Sequence, residues 1–209
     1  MKRSADQTDG HEFQADGHET KLKPWTITAS KYLLQDRWLT VRADRCRTGR
    51  GVLVDPYYVL EYPDWVQVVA FDPDYRVLVT RQYRHAAQSV CLELPCGVIE
   101  ATDETPLAAA QRELLEETGC TSDHFEKIGH FSPNPATHTN TVHCFAAYDV
   151  RPSQPVRQDA AEEVVSAFLP VPDVLEAIDA GQFPQSLHIC GLMLGLRHAG
   201  LLTIKDKPS

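Results

Sequence analysis

The chain has six cysteines, Cys46, Cys91, Cys96, Cys120, Cys144 and Cys190, but no two of them make a C-x-x-C pair. None stands in a close cluster with histidine, so the usual zinc-ribbon and redox motifs are excluded. No stretch approaches the ~18 apolar residues that a membrane span needs. The opening Met-Lys-Arg leads into Ser-Ala-Asp-Gln-Thr-Asp-Gly rather than an apolar segment, which is no secretory signal. Positive charge is also short. The formal net charge is −9, so there is no broad basic surface to neutralise nucleic-acid phosphates. A phosphorylated ligand would have to be met by local cations, that is, a bound metal and a few placed arginines. No internal repeat is visible. These absences lead us to expect a cytoplasmic protein with reduced thiols and neither a membrane nor a nucleic-acid partner.

What is present is ordinary globular material: 209 residues, 43% hydrophobic and 23% charged, enough for a full core. Residues 1–20 are rich in Asp, Gly, His, Gln and Thr and read as a disordered tail. Residues 21–62 read as a small antiparallel β unit. Its strands begin at Trp25-Thr-Ile-Thr, Trp38-Leu-Thr-Val-Arg and Tyr57-Tyr-Val-Leu-Glu-Tyr, with Thr48-Gly-Arg-Gly51 as a turn. Residues 63–205 read as the main domain. Trp65–Phe71 and Arg76–Arg84 are expected to form a buried hairpin across the turn Asp72-Pro-Asp-Tyr75. Further strands are expected at Phe125–Phe131, Thr141–Tyr148 and Glu163–Leu169, and helices at 106–118, 173–180 and 186–198. Strands before, between and after helices imply an α/β fold with a mixed sheet.

The helix at 106–118 carries the chemistry. Thr105-Pro106 supplies a hydroxyl N-cap followed by proline at the first position, and Gly119 supplies the stop. At ~100° per residue Leu107, Ala110 and Leu114 share one face, while Glu113, Glu116 and Glu117 share a separate arc of roughly 100°. Three carboxylates so placed repel one another. Arg112 neutralises only part of that charge; a hard divalent cation with oxygen ligands resolves it. A solvated acidic face is the bland alternative for an arbitrary E-x-x-E-E, but the Pro-Cys-Gly loop upstream offers a backbone carbonyl to the same cation.

The run Gly97-Val-Ile-Glu-Ala-Thr-Asp-Glu104, then seven residues, then Arg112-Glu-Leu-Leu-Glu-Glu-Thr-Gly-Cys120 resembles the Nudix box, G-x5-E-x7-R-E-U-x-E-E-x-G-U. One departure is visible, because six residues rather than five separate Gly97 from Glu104. Either the loop is longer by one or Asp103 takes the glutamate's place. Arg81-Gln-Tyr-Arg84, Leu92-Glu-Leu-Pro-Cys-Gly97 and Ser132-Pro-Asn-Pro135 are similar to the ADP-ribose pyrophosphatase branch. The resemblance implies an α/β/α sandwich and Mg²⁺- or Mn²⁺-dependent hydrolysis of a diphosphate linkage. It implies Glu113 and Glu117 as metal ligands, Glu116 at a second metal position and the Cys96 carbonyl as a further ligand. Arg112 would orient the glutamates and Glu104 would brace loop and helix. Arg84, ahead of Arg81, would contact phosphate, with the Pro133 loop nearby, and Glu162 would be the base, Glu163 in reserve. A homodimer acting on a small nucleoside diphosphate is implied too. The alternatives are a dinucleotide or triphosphate substrate, a non-catalytic nucleotide-sugar sensor, and a plain structural domain.

Four readings rest on the residues themselves. Glu93, a carboxylate inside an apolar strand, is expected to face metal or substrate. Trp65 and Tyr62 are core aromatics or base-stacking faces. Cys96 has no histidine near it in sequence, and we read its side chain as a small buried hydrophobe rather than a nucleophile. His138 and His143 flank a loop, while His85, His188 and His198 have no assigned role.

Overall fold

Side-chain alternation along one central strand decides the layers of this molecule. The computed structural model describes residues 22–156 and 163–203. Its strands are β1 (Thr26–Gln35), β2 (Thr40–Arg47), β3 (Leu53–Glu61), β4 (Trp65–Ala70), β5 (Val77–Arg84), β6 (Ser89–Glu93), β7 (Cys96–Val98), β8 (Cys120–Thr121), β9 (His124–Phe131), β10 (Val142–Tyr148), β11 (Arg151–Pro152) and β12 (Val164–Leu169). The helices are α1 (Pro106–Thr118), α2 (Val171–Asp179) and α3 (Ser186–His198).

Strand β4 lies inside a mixed sheet of order β7-β4-β10-β9, running parallel to β10 and antiparallel to β7. Its residues point alternately to opposite faces. Val66, Val68 and Ala70 pack with Ala109, Ala110 and Leu114 of α1. Val69 and Phe71 pack instead with Val174 of α2 and with Leu192 and Leu196 of α3. Helices therefore cover both faces, as an α/β/α sandwich requires, and β4 is buried from Val66 to Ala70, Gln67 included, because neither face meets water. Truncating the fully buried Leu114 to Ala would cost about 2–5 kcal/mol by lost transfer energy and cavity formation.

The hairpin expected from Trp65 to Arg84 needs correction. Its turn is real: the Tyr75 amide donates to the Asp72 carbonyl at 2.9 Å, and the Asp72 carboxylate accepts from the Asp74 and Arg76 amides. The strands then part, joined only by the bridge Phe71–Val77. Strand β5 joins the antiparallel sheet β12-β5-β6, so each strand becomes central in its own sheet. Short-range turn chemistry was legible; the long-range pairing partners were not. On α1, Ala110 and Leu114 are buried as expected, but Leu107 is 37% exposed at the rim of the first turn and Ala109 packs inward.

The N-terminal strands form the separate antiparallel sheet β1-β2-β3. It docks through β3, where the Leu60 amide donates to the Thr137 carbonyl at 2.7 Å and Leu60 accepts from the Thr139 amide at 3.2 Å. Tyr62 stacks on His138 with ring centroids 5.2 Å apart. Every residue of β1 is exposed, apolar Ile27, Tyr32, Leu33 and Leu34 among them.

Candidate active site

Local signals set the helix that positions the site. The Thr105 hydroxyl accepts from the Ala108 amide at 3.1 Å and Pro106 occupies the first turn. At the far end Gly119 takes φ 68°, a left-handed conformation, and its amide closes on the Leu115 carbonyl at 2.8 Å.

Arg112 organises what the helix presents. Its fork grips Asp103, Nε at 3.1 Å and Nη2 at 2.9 Å, and Nη2 also donates to the Val98 carbonyl at 2.9 Å. Nη1 reaches Glu113 at 2.8 Å and Glu116 at 3.0 Å. One guanidinium thus fastens the loop after β7 to the helix and spaces two carboxylates. The Arg112 fork holds the Asp103 carboxyl below its usual range, and Asp103, foremost, raises the arginine in turn. Glu104 is exposed. The brace expected from Glu104 is made by Asp103, with five residues between it and Gly97, and the one-residue departure moves to the stretch before Arg112, which then holds eight residues rather than seven.

The carboxylates meet the backbone of β7. The Cys96 amide donates to Glu117 Oε2 at 3.1 Å. Glu113 lies so close to Gly97 that a Cβ there would sit 2.1 Å from its carboxyl carbon. Only glycine fits. Burial pushes the Cys96 thiol well up, and the Glu117, Glu93 and Glu113 charges push the same way. That direction disfavours the thiolate, in keeping with the reading of Cys96 as a small buried side chain.

Across the cavity floor Arg84 makes a bidentate pair with Glu93, Nε to Oε1 at 2.8 Å and Nη2 to Oε2 at 2.6 Å. Glu93 is buried and raises the Arg84 pKa. The carboxylate expected to face metal or substrate thus faces an arginine. His188 lies behind it, fully buried, and burial lowers its pKa to about 4 against the opposing influence of Glu93.

Asp103 and His188 stand behind the lining of a cavity of about 890 Å³, within the range of small-molecule sites. Glu93, Glu100, Glu113, Glu116 and Glu117 face it with Arg84 and Arg112, five carboxylates against two guanidiniums. Trp65, Gln82 and Trp38, the last reaching over from the N-terminal unit, also line it.

A family model described as the NUDIX domain matches residues 61–187. The chain belongs to the Nudix family. A second model, described as the nucleoside diphosphate sugar hydrolase N-terminal domain, matches residues 25–60, the stretch of β1 to β3. The chain is 28% identical to the ADP-ribose pyrophosphatase of Bacillus subtilis over 123 residues, which cover 58% of this chain and 66% of that protein. It is 25% identical to the Mycobacterium tuberculosis ADP-ribose pyrophosphatase over 154 residues, 73% of this chain and 74% of that one. It is 34% identical to the mouse ADP-sugar pyrophosphatase over 134 residues, 59% of this chain and 60% of that one. A crystal structure of an ADP compounds hydrolase shares the fold with a TM-score of 0.76 at 22% identity, covering 87% of this chain and 98% of that chain.

Within the Nudix domain the structure brings together Cys96, Arg112, Glu113, Glu116, Glu117, Arg84 and Glu93. It sets Arg81 elsewhere. An offset of three residues along β5 reverses the side of the sheet, so Arg81 lines a second cavity with Asp173 and Glu176. Pro133 is half-buried and does not line the Nudix cavity. Glu162 lies outside the described residues, and its reserve Glu163 is exposed just before β12. Tyr62 is engaged with His138 rather than the cavity, whereas Trp65 does line it. Sequence reading named Asp103 as a possible substitute for Glu104 but did not pair it with Arg112. It missed Trp38 and His188, for which no local signal exists.

Proposed function

We propose that this chain hydrolyses the diphosphate bond of ADP-ribose or a related nucleoside diphosphate sugar with the help of Mg²⁺ or Mn²⁺. Water adds across the P–O–P linkage and two phosphomonoesters leave. The observation that carries this reading is the gathering of Glu113, Glu116 and Glu117 against the Cys96–Gly97 backbone in one cavity with Arg84.

The donor set fits a hard divalent ion. Its side-chain ligands are all carboxylate oxygens, and the described residues that line the cavity carry a formal excess of three negative charges, five carboxylates against two guanidiniums. Glu113 and Glu117 would hold the ion, Glu116 a second one, and the Cys96 carbonyl would complete the set. When bound, such an ion neutralises phosphate oxygens and acidifies the attacking water. The protein's own part is positioning. Arg112 fixes Glu113 and Glu116 by charge-assisted hydrogen bonds, Asp103 fixes Arg112, and Glu93 takes the Nε–Nη2 edge of Arg84, which leaves the Nη1 side of the guanidinium for a phosphate. Trp38 and Trp65 offer aromatic faces to a base.

The exposed apolar residues of β1 support a homodimer, because a three-stranded sheet with so much apolar surface in water is better covered by a second copy. Light scattering should return twice 23.4 kDa; a monomer mass at all concentrations contradicts the dimer. All six cysteines are unbridged, which supports a reducing compartment. Among the described residues no helix is long and apolar enough to cross a membrane.

The deciding experiment is a Mg²⁺-supplied panel of ADP-ribose, sugar nucleotides, dinucleotides and nucleoside triphosphates, read by released phosphomonoester. Preference for ADP-ribose or a nucleotide sugar is expected. Preference for triphosphates would replace the substrate, and no turnover of any member would remove the enzyme reading.

A further inference from the structure

Behind the Arg84–Glu93 pair sits a histidine with an unused proton. His188 is fully buried in the first turn of α3, and its Nδ1 accepts from the Leu94 backbone amide at 3.3 Å. A backbone amide can only donate, so Nδ1 must carry a lone pair and the proton of the neutral ring must be on Nε2. That nitrogen has no hydrogen-bond partner, and it stands 3.9 Å from Glu93 Oε2. Trp65 packs edge-on against the ring at 6.2 Å. The helix itself is fixed closely on β4, since a Cβ on Gly191 would fall 1.9 Å from Gln67 Nε2.

We infer that His188 is a positioning residue for the phosphate-binding arginine. Its Nε2–H directs a positive dipole at the Glu93 carboxylate, which in turn holds the Nε–Nη2 edge of Arg84 and leaves the Nη1 side of that guanidinium for phosphate. The inference rests on the proposed role of Arg84. The same tautomer settles a second matter. Glu93, Cys96 and His188 place one ligand atom each within 4.8 Å of one another, the spacing of a thiophilic metal site. With Nδ1 occupied by Leu94 and a proton on Nε2, the ring has no lone pair left for a metal, so this trio is not a metal centre.

Two substitutions separate the ring's two nitrogens. His188→Asn keeps an acceptor near Nδ1 for Leu94 and deletes the donor; His188→Gln keeps a donor near Nε2 and deletes the acceptor. We expect H188N to raise KM about tenfold, the lower end of the range for losing a group that orients a site residue from behind, with kcat changed far less. H188Q should stay close to the parent KM. A structural role alone would move both variants equally, and that result overturns the inference. A readout independent of turnover accompanies it. Proton–nitrogen NMR of the full chain should place the His188 proton on Nε2 and show a slowly exchanging Arg84 Nε–H that is lost in H188N and kept in H188Q. A proton on Nδ1, or an Arg84 signal unchanged in H188N, also overturns it. If turnover fails altogether while these signals behave as stated, the substrate reading has failed and the positioning of Arg84 has not.

Discussion

Two cavities of nearly equal size, about 890 and 800 Å³, lie on opposite faces of β5. Gln82 and Arg84 open into the first, Val79 and Arg81 into the second. The first gathers Glu113, Glu116 and Glu117 around glycine backbone and sets an arginine among them. The second has one arginine on a largely apolar lining, with Asp173 and Glu176 beside it. Volume does not distinguish them. What does is convergence: in the first cavity one guanidinium, Arg112, orients two carboxylates, and another is itself oriented by a buried carboxylate. Preorganised charge of that kind is what a phosphate-transfer site needs.

The contrast can be broken by substitution. Glu117→Gln, which keeps the shape and the acceptor for Cys96, should lower kcat by about 10²–10³-fold, the scale of one lost electrostatic group in a site. Near-normal turnover by E117Q would end the first cavity's claim. Arg84→Ala should lower kcat/KM by roughly 10–100-fold, equivalent to about 1.5–3 kcal/mol for hydrogen bonds to a charged group. Arg81→Ala should remain within about twofold, as for a surface change away from the site. Equal losses from the two would make the cavities equivalent.

Smaller effects sharpen the comparison at the loop. Asp103→Asn should cost about 1.5–3 kcal/mol in denaturant melts by weakening the buried fork to Arg112, whereas Glu104→Gln should stay within about 0.5 kcal/mol. Because Arg112 lowers the Asp103 pKa in the folded state, this stability is present above the unfolded pKa and is lost as pH falls through the folded one. The acid limb of a stability–pH curve should therefore flatten in D103N relative to the parent chain. An unaltered limb would argue that Asp103 contributes nothing by its charge.

Much of this was legible before any coordinates. Thr105, Pro106 and Gly119 mark both ends of α1 by local chemistry, and its helical period places Glu113, Glu116 and Glu117 on one arc. An α/β fold with a mixed sheet followed from the order of elements, and helices on both sides of it from the resemblance to the Nudix family. What stayed hidden was long-range. Whether β4 pairs with β5 or with β10 depends on which edges are free after folding, and the hairpin signal at Asp72–Tyr75 reports only the turn. Arg81 and Arg84 were separable in principle by strand parity. His188 was not, since an apolar helix with one histidine says nothing about the Leu94 amide 94 residues away that fixes its tautomer.

The central claim is that a divalent ion belongs among the α1 carboxylates and nowhere else in this floor of the domain. Anomalous scattering from a Mn²⁺-soaked crystal tests it directly. The account predicts a peak in contact with the carboxylates of Glu113 and Glu117, with none between Glu93, Cys96 and His188. An empty α1 position, or a peak at the Glu93–Cys96–His188 trio instead, would contradict it.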